Sequence, residues 1–326
     1  MQVQTNLSSI DPTVRRDQIG LLVGLNANYL LEKYARENGI LKNDSLARLI
    51  DEINERLSKP SVVADSVFDE ERGIITGLVV GEPAPWESGL FEGNIGKIVL
   101  SLFEPETKPV YRARILRSVI DQLQARMVSA RVSLRDFRTI RALELEGANL
   151  ADVLLTYRFD LSRGQPSLQS SIEVGPAQES DEPELKRLGR TIFTLDRFHN
   201  DERLPYSKSD EAHERWVSNS LHGLADAVLV ARRGVEAIGF ITCKIGNIGN
   251  GFKHGIIELI GVSPSYSGQG LGKHLVRHAL RWFADVANVC SVYVGTQASN
   301  SQAVRMYERT GFTHVFSEAT FHIWSD

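Results

Sequence analysis

Two cysteines in 326 residues, Cys243 and Cys290, are too few for a disulfide framework. Both sit in apolar runs, GFITCKI and NVCSVYV, that read as buried, reduced thiols. An excess of one charge is also missing. Thirty-seven Lys and Arg stand against 41 Asp and Glu, and the net charge of −4 excludes a broadly basic surface that coats nucleic acid. Long hydrophobic runs are absent: IGLLVGLNANYLL is interrupted by Asn26 and Asn28 and is too short to span a bilayer. The opening MQVQTNLSSIDPTVRRD has no apolar h-region, so no secretory signal and no membrane association are expected, and the expected location is the cytoplasm. What remains is ordinary for a globular protein, 42% hydrophobic and 24% charged, with room for two domains.

Along the chain, residues 1–60 read as helical. Leu21, Leu22, Leu25, Tyr29, Leu30 and Tyr34 recur at helical spacing, as do Leu46, Leu49, Ile50, Ile53 and Leu57, with Asp44 or Ser45 as a cap. This extension suggests packing or subunit contact, and from it a homodimer is expected. From residue 61 the period changes to strands alternating with helices, up to a polar link at Ser162–Pro166. The second half repeats the alternation. Asp181 and Pro183 open a helix, and Ser207 with Asp210 suggests a capping box for the next. The expected domains are a helical extension (1–60), a first α/β half (61–165) and a second α/β half (166–326).

The halves resemble each other. VSLRDFRTIRALELEGA aligns without gaps on TQASNSQAVRMYERTGF, which places Asp136 on Asn300, Leu143 on Tyr307 and Gly147 on Gly311. The same offset sets FEPETKPVYRAR, which has no glycine, against SGQGLGKHLVRH.

The run Gly268, Gln269, Gly270, Leu271, Gly272, Lys273 lies between a strand and a helix. Glycines there permit positive φ and close approach of main chain to a ligand, and N–H groups at a helix start cradle an anion. A Walker A loop requires different glycine spacing and Ser or Thr where His274 stands. A dinucleotide fingerprint requires GxGxxG and a later acid that SVYVGTQ does not supply. Coenzyme A pyrophosphate is the remaining reading.

These residues resemble the GNAT acyltransferase superfamily. ELIGVSPSYSGQGLGKHLVRHAL is similar to its strand, pyrophosphate loop and helix, and NSQAVRMYERTGFTHV to its Asn turn and Tyr-bearing helix. Ser267 departs from the Gln or Arg that usually opens the loop. A narrower resemblance is to sugar-nucleotide N-acyltransferases of the TDP-fucosamine acetyltransferase type, which have a degenerate GNAT-like half before the working one. It rests on Trp86, Glu87 and Ser88 followed by Phe91, Gly93, Asn94, Ile95 and Gly96, with Leu90 in place of an aromatic and Glu92 in place of glycine.

The resemblance implies an α/β (α+β) fold of two GNAT-like halves with mixed sheets, and an acetyl- or longer acyl-CoA co-substrate without metal. It implies acyl transfer to the amine of a nucleotide-linked sugar, the expected substrates being dTDP-linked 6-deoxy amino sugars of polysaccharide biosynthesis. Main-chain groups of Ile260, Gly261 and Val262 would meet the thioester, Gly268 to Lys273 the pyrophosphate, and Asn300 and Ala303 the pantetheine arm. Tyr307 would protonate the leaving thiolate, a phenol of pKa about 10 facing a thiol of about 8.5. Glu258 stands in strand phase with Ile260 and is one candidate base, with pairing to Lys253 as its plain alternative, and His199 is the other candidate. Trp86, Glu87, Arg197, His199 and Tyr206 would face the sugar nucleotide, helped by Arg203, Lys208 and Arg215. His274 and His278 lie on a basic helix face that reads as solvated. The rivals are a GNAT enzyme acting on a protein N-terminus, lysine or small amine, and a non-catalytic acyl-CoA-binding protein.

Overall fold

The computed structural model describes residues 2–5, 12–26, 42–164, 172–249, 252–285 and 289–325. They form two compact units.

The first unit holds described residues up to 151 together with 317–325. Its elements are β1 (Gln2–Thr5), α1 (Pro12–Leu25), α2 (Lys42–Leu57), β2 (Val63–Asp69), β3 (Ile74–Pro83), α3 (Pro85–Phe91), β4 (Ile95–Phe103), α4 (Pro109–Leu123), β5 (Met127–Ser133) and α5 (Phe137–Leu145). The sheet order is β1-β2-β3-β4-β5, followed by residues 318–324 of β12 (Thr313–Trp324). Only β4 and β5 are parallel, and α4 is the crossover between them. Strand alternation sends Val79 to one face, against Ile115, Leu116, Val119 and Ile120 of α4. Leu78 and Val80 go to the other face, against Ile19, Leu22 and Val23 of α1 and Leu49 and Ile53 of α2. The N-terminal helices therefore cover the second face of this sheet.

The second unit lies within residues 152–316. It contains β6 (Asn149–Asp160), β7 (Glu173–Pro176), α6 (Glu182–Ile192), α7 (Tyr206–Asn219), β8 (Ala227–Arg233), β9 (Glu236–Gly249), β10 (Phe252–Val262), α8 (Leu271–Asp285), β11 (Val289–Gln297) and α9 (Ser301–Thr310). Its sheet order is β6-β11-β10-β9-β8-β7, with β10 and β11 its parallel pair and α8 the crossover. Leu271, Leu275, Ala279 and Phe283 of α8 are buried on one face of the sheet, as their spacing predicts. Leu185 and Leu188 of α6 and Val217 of α7 cover the other, against Val228, Val230 and Phe240.

Several expectations are corrected. The breaks at 60/61 and 165/166 do not coincide with the compact units: each sheet takes its last strand from the other half of the sequence, and α1 and α2 belong to the first core. Residues 2–5 form a strand paired with β2 rather than part of a helix. α2 begins at Lys42, ahead of Asp44 and Ser45. α7 begins at Tyr206 after Pro205, whose side chain has no acceptor to cap it, so Ser207 lies inside the helix and the expected box with Asp210 does not form; Asp210 meets His199 instead. Cys243 is buried as expected, but Cys290 is exposed. Tyr29, Leu30, Tyr34 and the end of the link at Gln165 and Pro166 lie outside the described residues.

Candidate active site

β10 and β11 pair in parallel as far as Ile257↔Val294 and then separate. β10 continues against β9 through Ile260↔Ile241 to Val262↔Gly239, after a bulge between Ile257 and Ile260. Thr242 Oγ1 fills the bulge by accepting from Leu259 N at 2.9 Å. β11 continues against β6 to Gln297. Among the described residues, the β11-facing edge of β10 from Glu258 to Val262 has no ladder partner, so its main-chain polar groups remain for a ligand. Ile260, Gly261 and Val262 lie on this edge. A Cβ on Gly261 would stand 2.4 Å from Ile192 Cδ1, so glycine lets α6 seat directly on the strand.

After β10, a 3-10 turn at Pro264–Tyr266 leads into the exposed run Ser267 to Gly270. Gly268 (φ +75°) and Gly270 (φ +82°) both take the left-handed conformation, and an added Cβ at either would meet open space. Gly270 O accepts from His274 N at 3.1 Å, which starts α8. The first N–H groups of this 15-residue helix therefore lie at the mouth of an open bend. That donor set fits a pyrophosphate. Gly272 has a different reason: its Cβ would lie 2.8 Å from Met306 Sδ, where α8 approaches α9. Lys273 is half-buried beside it, and Gln269 Nε2 donates to Ser265 O at 3.1 Å, bracing the bend. His274 is buried, with Nε2 3.1 Å from Ile172 O, and so is not part of a solvated face.

Asn300 caps α9, its Oδ1 accepting from Ala303 N at 3.1 Å. Tyr307, two turns on, is 1% exposed, with its ring beside Tyr157 and Phe312. Burial pushes the Tyr307 phenol above its usual value, which keeps it protonated and able to donate. Glu258 Oε1 lies 3.5 Å from Lys244 Nζ, so the partner is Lys244 rather than Lys253. Its Oε2 is buried without a hydrogen-bond partner among the described residues.

The expected substrate residues divide between the units. Trp86 and Glu87 lie on α3 of the first unit, Trp86 39% exposed and Glu87 half-buried. Their motif neighbours hold the fold. Ser88 Oγ accepts from Ile95 N at 3.0 Å, and Asn94 Nδ2 donates to Gln124 O at 2.8 Å. Phe91 is core, and a Cβ on Gly96 would meet Leu123 at 2.9 Å. Glu92 occupies a left-handed φ of 55°, which explains why glycine suits that place in the signature.

In the second unit, Arg197 stacks over Phe198 at 4.1 Å, and Tyr206 is exposed at the start of α7. Lys208 and Arg215 both pair with Glu211, so they are not free phosphate ligands. His199 is the clearest correction. Its side chain is 1% exposed, with Nδ1 2.6 Å from Asp196 Oδ2 and Nε2 3.1 Å from Asp210 Oδ1. Burial opposes its charge, but the two carboxylates prevail and hold its pKa above the ordinary value. A ring bonded at both nitrogens cannot double as a solvated substrate contact. The surrounding Asp196, His199, Asp210 and His213 group had a sequence signal, a twice-repeated Asp-x-x-His in DRFH and DEAH.

The sequence profile described as the acetyltransferase (GNAT) family matches residues 195–312. Residues 195–312 therefore carry a GNAT acetyltransferase domain. The chain also has relatives: the spore coat polysaccharide biosynthesis protein SpsD of Bacillus subtilis (strain 168) is 30% identical over 152 residues, 47% of this chain and 50% of that protein. The chain thus spans about half the length of this relative. A GCN5-related N-acetyltransferase from Sphaerobacter thermophilus shares the fold with a TM-score of 0.63 at 14% identity, over 99% of this chain and 96% of that one. A tandem GNAT protein from the clavulanic acid biosynthesis pathway gives 0.56 at 14% identity, over 100% of this chain and 99% of that one. The tandem neighbour supports two GNAT-like halves around mixed sheets, as the internal repeat predicts. No helix among the described residues is long and apolar enough to cross a membrane.

Proposed function

We propose that this protein transfers an acyl group from acyl-coenzyme A to the amino group of a nucleotide-linked amino sugar used in polysaccharide biosynthesis, a dTDP-linked 6-deoxy sugar being the favoured acceptor. The observation that carries the acyl-CoA part is the juxtaposition in one unit of the open Gly268–Gly270 bend and the unpaired edge of β10 beyond Ile257. The sugar part is supported by the resemblance of residues 86–96 and by the likeness to SpsD.

In this reading the pyrophosphate rests on the main-chain N–H groups between Gly268 and Lys273, and the thioester lies along β10. The neutral amine attacks the carbonyl carbon, and the carbonyl electron pair moves to oxygen, to which a main-chain N–H of the Ile260–Val262 edge donates a hydrogen bond. The pair returns, the C–S bond breaks, and Tyr307 gives its proton to the thiolate. The amine loses a proton to Glu258 or to water. A sugar amine resembles an α-amino group, with pKa about 8, so a useful fraction is neutral near pH 7.

Calorimetry with coenzyme A, followed by thiol release assayed on dTDP-linked amino sugars and on peptides with a free N-terminus, tests the proposal. Coenzyme A binding with turnover on the sugar nucleotide is expected. Binding with turnover only on peptides selects the protein-acylating alternative, and binding without turnover on any amine selects the non-catalytic one.

A further inference from the structure

Away from the β10 edge, the connection from α6 to α7 folds back on α7 through one polar cluster. One ligand atom from each of Asp196, His199 and His213 lies within 4.8 Å of the other two. Asp196 Oδ2 is 2.6 Å from His199 Nδ1 and 3.7 Å from His213 Nε2. His213 Nδ1 lies 3.4 Å from Ser209 O, the place of an N–H donor, and that tautomer turns the Nε2 lone pair toward the carboxylate. Two electron-pair donors facing each other attract only through a cation. The side chains are nearly closed to solvent, at 1% for His199, 7% for His213 and 13% for Asp196. Phe193 stacks on His213 at 4.8 Å, and Trp216 and Tyr206 complete an aromatic wall.

We propose that Asp196, His199 and His213 form a binding site for a divalent transition ion of the zinc type. Two imidazole nitrogens and one carboxylate oxygen are a donor set that suits Zn²⁺, with too few oxygens for Ca²⁺ and no thiolate for Cu⁺. The outer contacts match such a site. His199 Nε2–H donates to Asp210 Oδ1 and His213 Nδ1–H to Ser209 O, so each ligating ring has its second nitrogen oriented by an oxygen. Binding expels the proton shared by Asp196 and His199. The ion ties the 196–199 bend to α7 and thereby fixes the segment that leads to Tyr206. This inference does not depend on the acyl-transfer reading.

The test uses the full-length protein after treatment with a chelator, titrated with ZnCl₂ and with CoCl₂. One equivalent of Zn²⁺ is expected to bind and raise Tm, and Co²⁺ is expected to give the visible bands of a four- or five-coordinate ion. The double variant His199→Gln, His213→Gln is expected to lose both responses, and His222→Gln, an exposed histidine just beyond α7, to keep them. Absence of stoichiometric uptake by the wild-type protein overturns the proposal, as does uptake that survives the double variant. Should that variant not fold, X-ray absorption of the cobalt-loaded wild-type protein decides instead. Two imidazoles bound to cobalt support the site, and one or none overturns it.

Discussion

Residues 103–107 and 267–271 stand at corresponding places, leading into α4 and α8, yet they treat charge in opposite ways. In the second unit the bend turns main-chain N–H groups outward around open space. In the first, carbonyls turn inward around Arg112, whose side chain is only 3% exposed. Arg112 donates to Thr107 O at 2.9 Å, Glu104 O at 3.0 Å, Asp136 Oδ1 at 2.8 Å and Thr139 Oγ1 at 2.8 Å, and lies over the Phe103 ring. The residue aligned with Arg112 is Val276, a core residue of α8. Asp136 and Asn300, aligned in sequence, both cap their helices through Oδ1 at 3.1 Å. The caps differ in charge because only the first has a guanidinium to answer. The first unit kept the scaffold and filled its ligand bend with its own cation.

This contrast can be broken from either side. Arg112→Ala leaves buried carbonyls and Asp136 without their partner and is expected to cost about 3–5 kcal/mol in denaturant unfolding. It is expected to leave coenzyme A affinity unchanged, since the carbonyls of that bend are turned to Arg112. A comparable loss arises from acid in the second unit, which holds all the histidines except His322. His254 is fully buried, neither ring nitrogen has a partner among the described residues, and burial alone pushes its pKa down to about 4. The unfolded chain takes up this proton first, near pH 6.5. Its stabilising contribution is therefore complete above that value and is lost toward pH 4, by about 3 kcal/mol. His254→Leu is expected to flatten the stability–pH curve between pH 6.5 and 4, and an unchanged slope refutes the assignment.

Catalysis sharpens the comparison further. Tyr307→Phe is expected to lower kcat by about 100-fold with little change in coenzyme A Kd, whereas Leu143→Ala, at the aligned buried position, acts on stability alone. Equal kcat in Tyr307→Phe and wild type at saturating substrates removes the tyrosine from its proposed role. Gly270→Val strains a left-handed residue and is expected to weaken coenzyme A binding about ten-fold or more by calorimetry, while Glu106→Val in the first unit has no such effect. The smallest change is Glu92→Gly. It relieves a left-handed non-glycine residue and is expected to raise unfolding stability by about 0.5–1 kcal/mol.

Local pattern made much of this legible. The stripe Leu271, Leu275, Ala279, Phe283 gave the buried face of α8, and alignment of the halves located both helix caps. The glycine spacing marked the two positive-φ positions of the bend. Sequence reading failed where tertiary context decides. The apolar alternation of β6 and β12 is the same whichever strand lies alongside, so it carries no record of which sheet receives it. Arginine is seldom buried, and nothing near Arg112 signals a ring of carbonyls waiting for it. His199 read as a sugar-nucleotide contact because its partners Asp210 and His213 lie on the next helix, although the doubled Asp-x-x-His spacing was in view. Within the narrow signature, Ser88, Asn94 and Gly96 proved to brace α3 and α4, which leaves Trp86 and Glu87 as the members to test against a sugar.

The placement of residues 318–324 against β5 has a consequence for biosynthesis. Because the strand that completes the first sheet is translated after the whole second unit, the nascent chain leaves the ribosome with that sheet's flank uncovered for most of its synthesis. Completion of the earlier-made portion must wait for residues 318–324 to emerge, and a nonsense codon near position 317 would deprive the first unit of its closing strand while sparing the second.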